Sequence, residues 1–253
     1  MLGVALLSQA AGLVGVGLVV VLAAPARPGI DRLALAALGG AAGIVALAAF
    51  YRGLAVGTMS IVAPISATGA ALPVAAGLAS GDSPSVVQGL GMALAFGGVL
   101  LAAREQHEDA ARAADARRAV GLALVAATGF GIFLTLLKPA SEDGVAWALL
   151  AARTASVGLM GAIVCATRPP LRPALAPLTL GALVLVGAGD LGANALYAAA
   201  TGKGLLSVVA VLGSLYPVTT VLLARGLLAE RVRRVQEGGV LLVLGGVALI
   251  AAG

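Results

Sequence analysis

"QGLGMALAFGGVLLAA" at residues 88–103 and "QEGGVLLVLGGVALIAA" at 236–252 are two apolar stretches written to one pattern. Their leading glutamines stand 148 residues apart (88 to 236), and so do their paired glycines (97 to 245). Each stretch, coiled as a helix at about 1.5 Å per residue, reaches across most of a hydrocarbon layer about 30 Å thick. The correspondence continues upstream. "SIVAPISA" (60–67) pairs with "SVVAVLGS" (207–214), 147 residues later, and "ALLSQAAGLVGVG" (5–17) resembles "ALLAARTASVGLMG" (148–161). A repeat of this size in an apolar chain marks a duplicated helix bundle.

The chain as a whole suits no aqueous solvent. Of its 253 residues 60% are hydrophobic and 11% charged, where a soluble domain carries roughly a quarter charged residues. Nine apolar runs can be read: 2–24, 31–54, 58–80, 86–103, 118–138, 145–167, 174–199, 204–228 and 236–252. They are too long and too rich in alanine for barrel strands, so the expectation is an all-α polytopic membrane protein with nine transmembrane helices. A net charge of +5 raises the question of nucleic acid, but the basic residues fall in short loops between spans, where lipid headgroups account for them. Cys165 is the only cysteine and His107 the only histidine, so no intrachain disulfide and no His/Cys metal cluster can form. The sequence holds no nucleophile elbow, phosphate loop or HExxH motif. No enzyme activity, metal or cofactor is expected, and the first segment lacks the charged start of a signal peptide.

A polar insertion, read as a linker over 104–118, divides the chain into a first repeat (1–103) and a second (119–253). The second has five spans and the first four, since nothing in the first matches "GLALVAATGFGIFLTLL" (121–137). Either the protein has nine helices, or its start lacks about one span of a ten-helix fold. The bundle face left without a partner favours the second reading.

The stretch "ALYAAATGKGLLSVVAVLGSLYPVTTVLLARGLLAERVRRVQEGGVLLVLGGVAL" (195–249) resembles an EamA-type domain of the drug/metabolite transporter superfamily. The carriers are a tyrosine-bearing helix end, Ser-x-Val-Ala, Tyr-Pro in mid-helix, Leu-Leu-x-Glu and a final Gly-Gly helix. "FYRGLAVGTMSIVAPISA" (50–67) follows the same pattern, with Asp82 near the glutamate position; it departs where Ala70 stands in place of Pro217. The resemblance implies two inverted five-helix repeats moving small metabolites or drugs, amino-acid-like or otherwise, across the cell membrane. The implied partners are the solute and the lipid bilayer, with a homodimer as a candidate assembly. A non-transporting scaffold or accessory subunit is the alternative. A membrane-embedded enzyme would need a cluster of His, Asp or Glu that the spans do not offer.

Odd-numbered repeats enter a bilayer in opposite senses and place a solute site near its midplane, bounded by interrupted helices. Pro217 leaves the carbonyl one turn earlier without a donor, beside Ser214, Tyr216, Thr219 and Thr220. Pro64, with Ser60, Ser66 and Thr68, makes the related device in the first half. The alternative is a structural kink with hydroxyls bonded back to their own helix. Two charges, Arg153 and Asp190, lie well inside spans. Each costs roughly 2.5–3.5 kcal/mol on insertion scales, so each should face the bundle interior. Asp190, Asn194, Tyr197 and Thr201 share one helix face by their spacing. That face is a candidate cavity wall, with Asp190 as a protonatable group or counter-charge, or it holds an Asp190–Arg153 pair that only fixes packing. Loops after the second, fourth, sixth and eighth spans hold ten arginines against four basic residues in the others. That bias puts Gly253 outside, whereas the resemblance implies cytoplasmic termini; both orientations stay open.

Overall fold

Alanine and leucine lose little by coiling, and in hydrocarbon every backbone donor and acceptor must be bonded within its own segment. Both pressures favour helix. The computed structural model describes residues 2–57, 59–102, 113–167, 177–215 and 234–253. Among these the regular structure is helical: α1 (Leu2–Ala23), α2 (Ile30–Val56), α3 (Met59–Ala67), α4 (Ala71–Ala79), α5 (Val86–Ala102), α6 (Ala113–Ser141), α7 (Val145–Thr167), α8 (Pro177–Thr201), α9 (Leu206–Gly213) and α10 (Arg234–Ala252). The stretches Gly3–Ala23, Ile30–Val56, Arg117–Ser141, Val145–Ala166 and Leu180–Thr201 are long and apolar enough to cross a bilayer. Leu22, Val86, Leu185 and Leu196 are 74 to 82% exposed, a surface that suits lipid. The chain is an integral, multi-pass membrane protein.

Each of the nine expected runs holds helix among the described residues; run 204–228 is described only to Leu215, with α9 ending at Gly213, and run 58–80 is broken. Run 58–80 divides into α3 and α4 around a 3₁₀ turn at Thr68–Ala70. The interruption falls just before Pro73, which has no N–H to offer the Gly69 carbonyl one turn earlier; α3 runs through Pro64 without a break. Helix α6 starts at Ala113, so the end of the expected linker is already helical.

Two compact units form, and neither coincides with a sequence half. One comprises residues 1–48 and 132–203, the other 49–131 and 204–253.

In the first unit, α1 lies beside α7 and α8. The backbone of α2 at Gly40 abuts the Ala152 carbonyl of α7, and Gly187 of α8 abuts the Ser8 carbonyl of α1. Gly40 and Gly187 are 147 residues apart, and Ser8 and Ala152 are 144 apart. These crossings are therefore the same contact with the two repeats exchanged, the offset being three residues shorter between α1 and α7 than between α2 and α8. Ser156 donates to the Gly40 carbonyl at 2.8 Å, while Gly12, its counterpart 144 residues earlier, sits against the Gly187 carbonyl with no side chain to give. At one end Arg32 donates to the Pro139 carbonyl (2.8 Å) and pairs with Glu142 (2.6 Å). Trp147 donates to the Pro25 carbonyl at 3.0 Å.

In the second unit, α5 and α10 pack along their length. A methyl group at Gly91 would lie 2.7 Å from the Gly246 carbonyl oxygen, and one at Gly98 would lie 2.7 Å from that of Gly239. As one partner's number rises the other's falls, so the helices are antiparallel. Because Gly91 and Gly239 are 148 apart, as are Gly98 and Gly246, each contact is the image of the other. Two repeat-equivalent helices packed in opposite senses are what inverted repeats produce. Elsewhere in this unit Asp82 accepts from the Ser207 N–H (2.8 Å) and hydroxyl (2.9 Å), capping the start of α9.

Only one glycine of each pair meets a neighbour: a side chain at Gly97 or Gly245 meets open space among the described residues. Gly98→Leu or Gly246→Leu should therefore lower the thermal unfolding midpoint of the purified, detergent-solubilised protein, by an overpacking cost of about 1–3 kcal/mol or more. Gly97→Leu and Gly245→Leu should leave it nearly unchanged. Asp82→Ala should cost about 1 kcal/mol through the lost cap, and the same melting experiment checks it.

Candidate functional site

Helix spacing alone places Asp190, Asn194 and Tyr197 on one face of α8. The fold then brings α7 and α1 against that face within the first unit. Arg153 donates through Nη2 to Asp190 Oδ2 at 2.5 Å, and through Nη1 to Oε1 of Gln9 on α1. The two partners differ sharply in access. The Arg153 side chain is 6% exposed and that of Asp190 46%. Asn194, one turn along α8, turns its Nδ2 toward Asp190 Oδ1 at 3.5 Å, the outer limit of a hydrogen bond. Asp190 lies 11 residues from the end of α8, about 16 Å along the helix axis, near the middle of a bilayer.

The electrostatics follow from this geometry. A guanidinium held away from solvent is tolerable because a carboxylate and an amide oxygen satisfy it. The carboxylate has one oxygen spent on Arg153 and the other nearly free. A half-open carboxylate at that depth cannot rest against hydrocarbon without a cost of roughly 2.5–3.5 kcal/mol. The open side of Asp190 therefore calls for water or a polar solute.

Gln9 escaped the sequence reading. The signal was present: Gln9 is a polar residue inside an apolar run, 144 residues before Arg153, so the two stand at matching places in the repeats. No such match exists for Asp190. The residue 147 positions before it is Gly43, which faces the ring of Phe133. The cluster is thus an asymmetric feature on a symmetric scaffold.

The other candidates divide by environment. Tyr197 is 8% exposed and its hydroxyl has no hydrogen-bond partner among the described residues. Thr201, at the end of the same stripe, donates to the Ala198 carbonyl. In the second unit Thr68 donates to the Ile65 carbonyl (2.6 Å) and Ser214 to the Val211 carbonyl (2.7 Å). Both hydroxyls therefore bond back to the chain segment they belong to. Ser66 is buried with no partner for its hydroxyl among the described residues. Ser60 and Pro64 lie on α3. Tyr216, Pro217, Thr219 and Thr220 lie outside the described residues, and so does Glu230.

Residues 117–252 match the model of the EamA-like transporter family. A solved structure, titled only as the crystal structure of a protein, superposes with a TM-score of 0.76 at 17% identity, over 98% of this chain and 85% of that one. At that identity the likeness is one of fold. No curated protein matches the chain.

The unequal exposure of Arg153 and Asp190 makes an unequal pair of mutants. Asp190→Leu strands a buried guanidinium and should cost roughly 3–5 kcal/mol. Arg153→Met leaves a carboxylate that water can reach, and should cost less. The double variant should be less destabilised than the two single costs added together, a coupling that thermal unfolding of all four proteins measures directly.

Proposed function

We propose that this chain, which belongs to the EamA-like transporter family, is a secondary transporter of small metabolites or drugs in the cell membrane. In this reading its two inverted repeats expose a mid-membrane site to each side in turn, and no covalent bond is made or broken. The observation that carries the reading is the half-open Asp190 carboxylate, held at mid-helix depth by an almost fully enclosed Arg153. A pair that served packing alone would gain nothing from leaving one partner open, because a lipid-facing charge is a cost without a return. Inverted-repeat transporters place their solute sites at this depth. The sequence carries no phosphate loop, so coupling to an ion gradient or to exchange supplies any uphill work.

Counterflow in proteoliposomes, against a panel of amino acids, nucleosides and cationic drugs, tests this reading. Wild-type protein should accelerate uptake of at least one class above protein-free vesicles. Asp190→Asn should reduce that flux by about tenfold or more, the effect of losing one charge-assisted contact. Wild-type flux left intact by Asp190→Asn would remove the cluster from the transport path. Absence of flux for the whole panel would favour a non-transporting scaffold.

A further inference from the structure

We infer that the Asp190 cluster recognises a protonated primary amine and rejects carboxylates. This rests on the reading that Asp190 faces the transported solute. The cluster holds one cation and one anion, and only the anion is open. Arg153 is closed by burial and by its bonds to Gln9 and Asp190, so an anionic solute would have to displace Asp190 to reach it. Before that, the solute would meet a like charge. What the open side offers is acceptors. Among the described residues Asp190 Oδ1 has only the long contact from Asn194 Nδ2. The Asn194 amide also carries an oxygen, a second acceptor on the residue one turn along the same face. A primary ammonium carries three donors and no acceptor, which fits a carboxylate oxygen beside an amide oxygen.

Charge alone would admit any cation; the hydrogen-bonding geometry is more selective. A quaternary ammonium has no N–H to donate, and its usual recognition needs a cage of aromatic rings. The whole chain has eight aromatic residues, four Phe, three Tyr and one Trp. Recognition here therefore runs through N–H donation. Gln9 and Arg153 act as positioning residues: they hold Asp190 Oδ2 so that Oδ1 stays outward.

Four probes of similar size test the inference: n-butylamine, n-butanol, n-butanoate and butyltrimethylammonium. Each is titrated against the purified, detergent-solubilised full chain, with binding read by the rise in its thermal unfolding midpoint. Butylamine should raise the midpoint at the lowest concentration, and butanoate and butyltrimethylammonium should leave it unmoved. Asp190→Asn should weaken butylamine binding by about tenfold or more. Asn194→Ala strands no buried charge, and should weaken it several-fold with the fold intact. The inference is overturned by butanoate or butyltrimethylammonium binding as well as butylamine, or by butylamine binding that neither variant changes. Because the readout needs no transport, the two readings can fail separately. Amine binding without flux in vesicles would sink the transporter reading alone; flux of anionic solutes with no amine binding would sink this one alone.

Discussion

Between two helices in lipid there is no hydrophobic force to draw on, because the hydrocarbon tails are as apolar as the side chains. Cohesion has to come from backbone approach and from a few polar contacts. This constraint explains the placement of glycine in the chain. Where α5 crosses α10, Gly91, Gly98 and Gly246 leave no room for a methyl group. The crossings of α2 on α7 and of α1 on α8 meet the same limit at Gly40 and Gly187. Each close approach occurs twice, at the spacing of the internal repeat. A duplicated sequence folded in opposite senses has to satisfy the same packing rule in both copies, and the paired crossings are the result.

Symmetry of packing does not extend to chemistry. Arg153 and Gln9 stand at matching places in their repeats and bond to one another, yet one is a cation and the other a neutral amide. Asp190 corresponds to a glycine packed beneath Phe133. Small residues at the crossings are locked by contact distance, whereas positions away from a crossing are free to diverge. A charge pair introduced at such positions needs one partner to be enclosed and the other either enclosed or wet. Here Arg153 is enclosed and Asp190 is half-exposed.

Interruption of a helix follows a similar division. Proline acts on the carbonyl one turn earlier, so Pro73, not Pro64, accounts for the 3₁₀ turn at Thr68–Ala70. Nearby hydroxyls bond back within their own segments, as Thr68 and Ser214 do, so neither hydroxyl proton is left for a solute. Asp82 makes the opposite kind of contact. It reaches from the turn after α4 to the start of α9 and satisfies two donors of Ser207 at once.

The sequence alone was enough for the membrane class, the nine apolar runs, the duplication with its 147–148 residue spacing, and the polar stripe from Asp190 to Thr201. All of these depend on composition or on periodicity along a single helix, which is local information. It also named Arg153 and Asp190 as the charges inside spans and expected both to turn inward; Arg153 is enclosed, whereas Asp190 is half-exposed. Which glycine of each pair carries a crossing was not legible, since Gly97 and Gly98 are equivalent until a second helix arrives on one side. Gln9 joined the cluster, and Asp82 became the cap of α9, by contacts across 144 and 125 residues. Only the tertiary structure decided those, because a contact between helices is set by crossing angle and rotation, and neither is written in the spacing of residues along one chain.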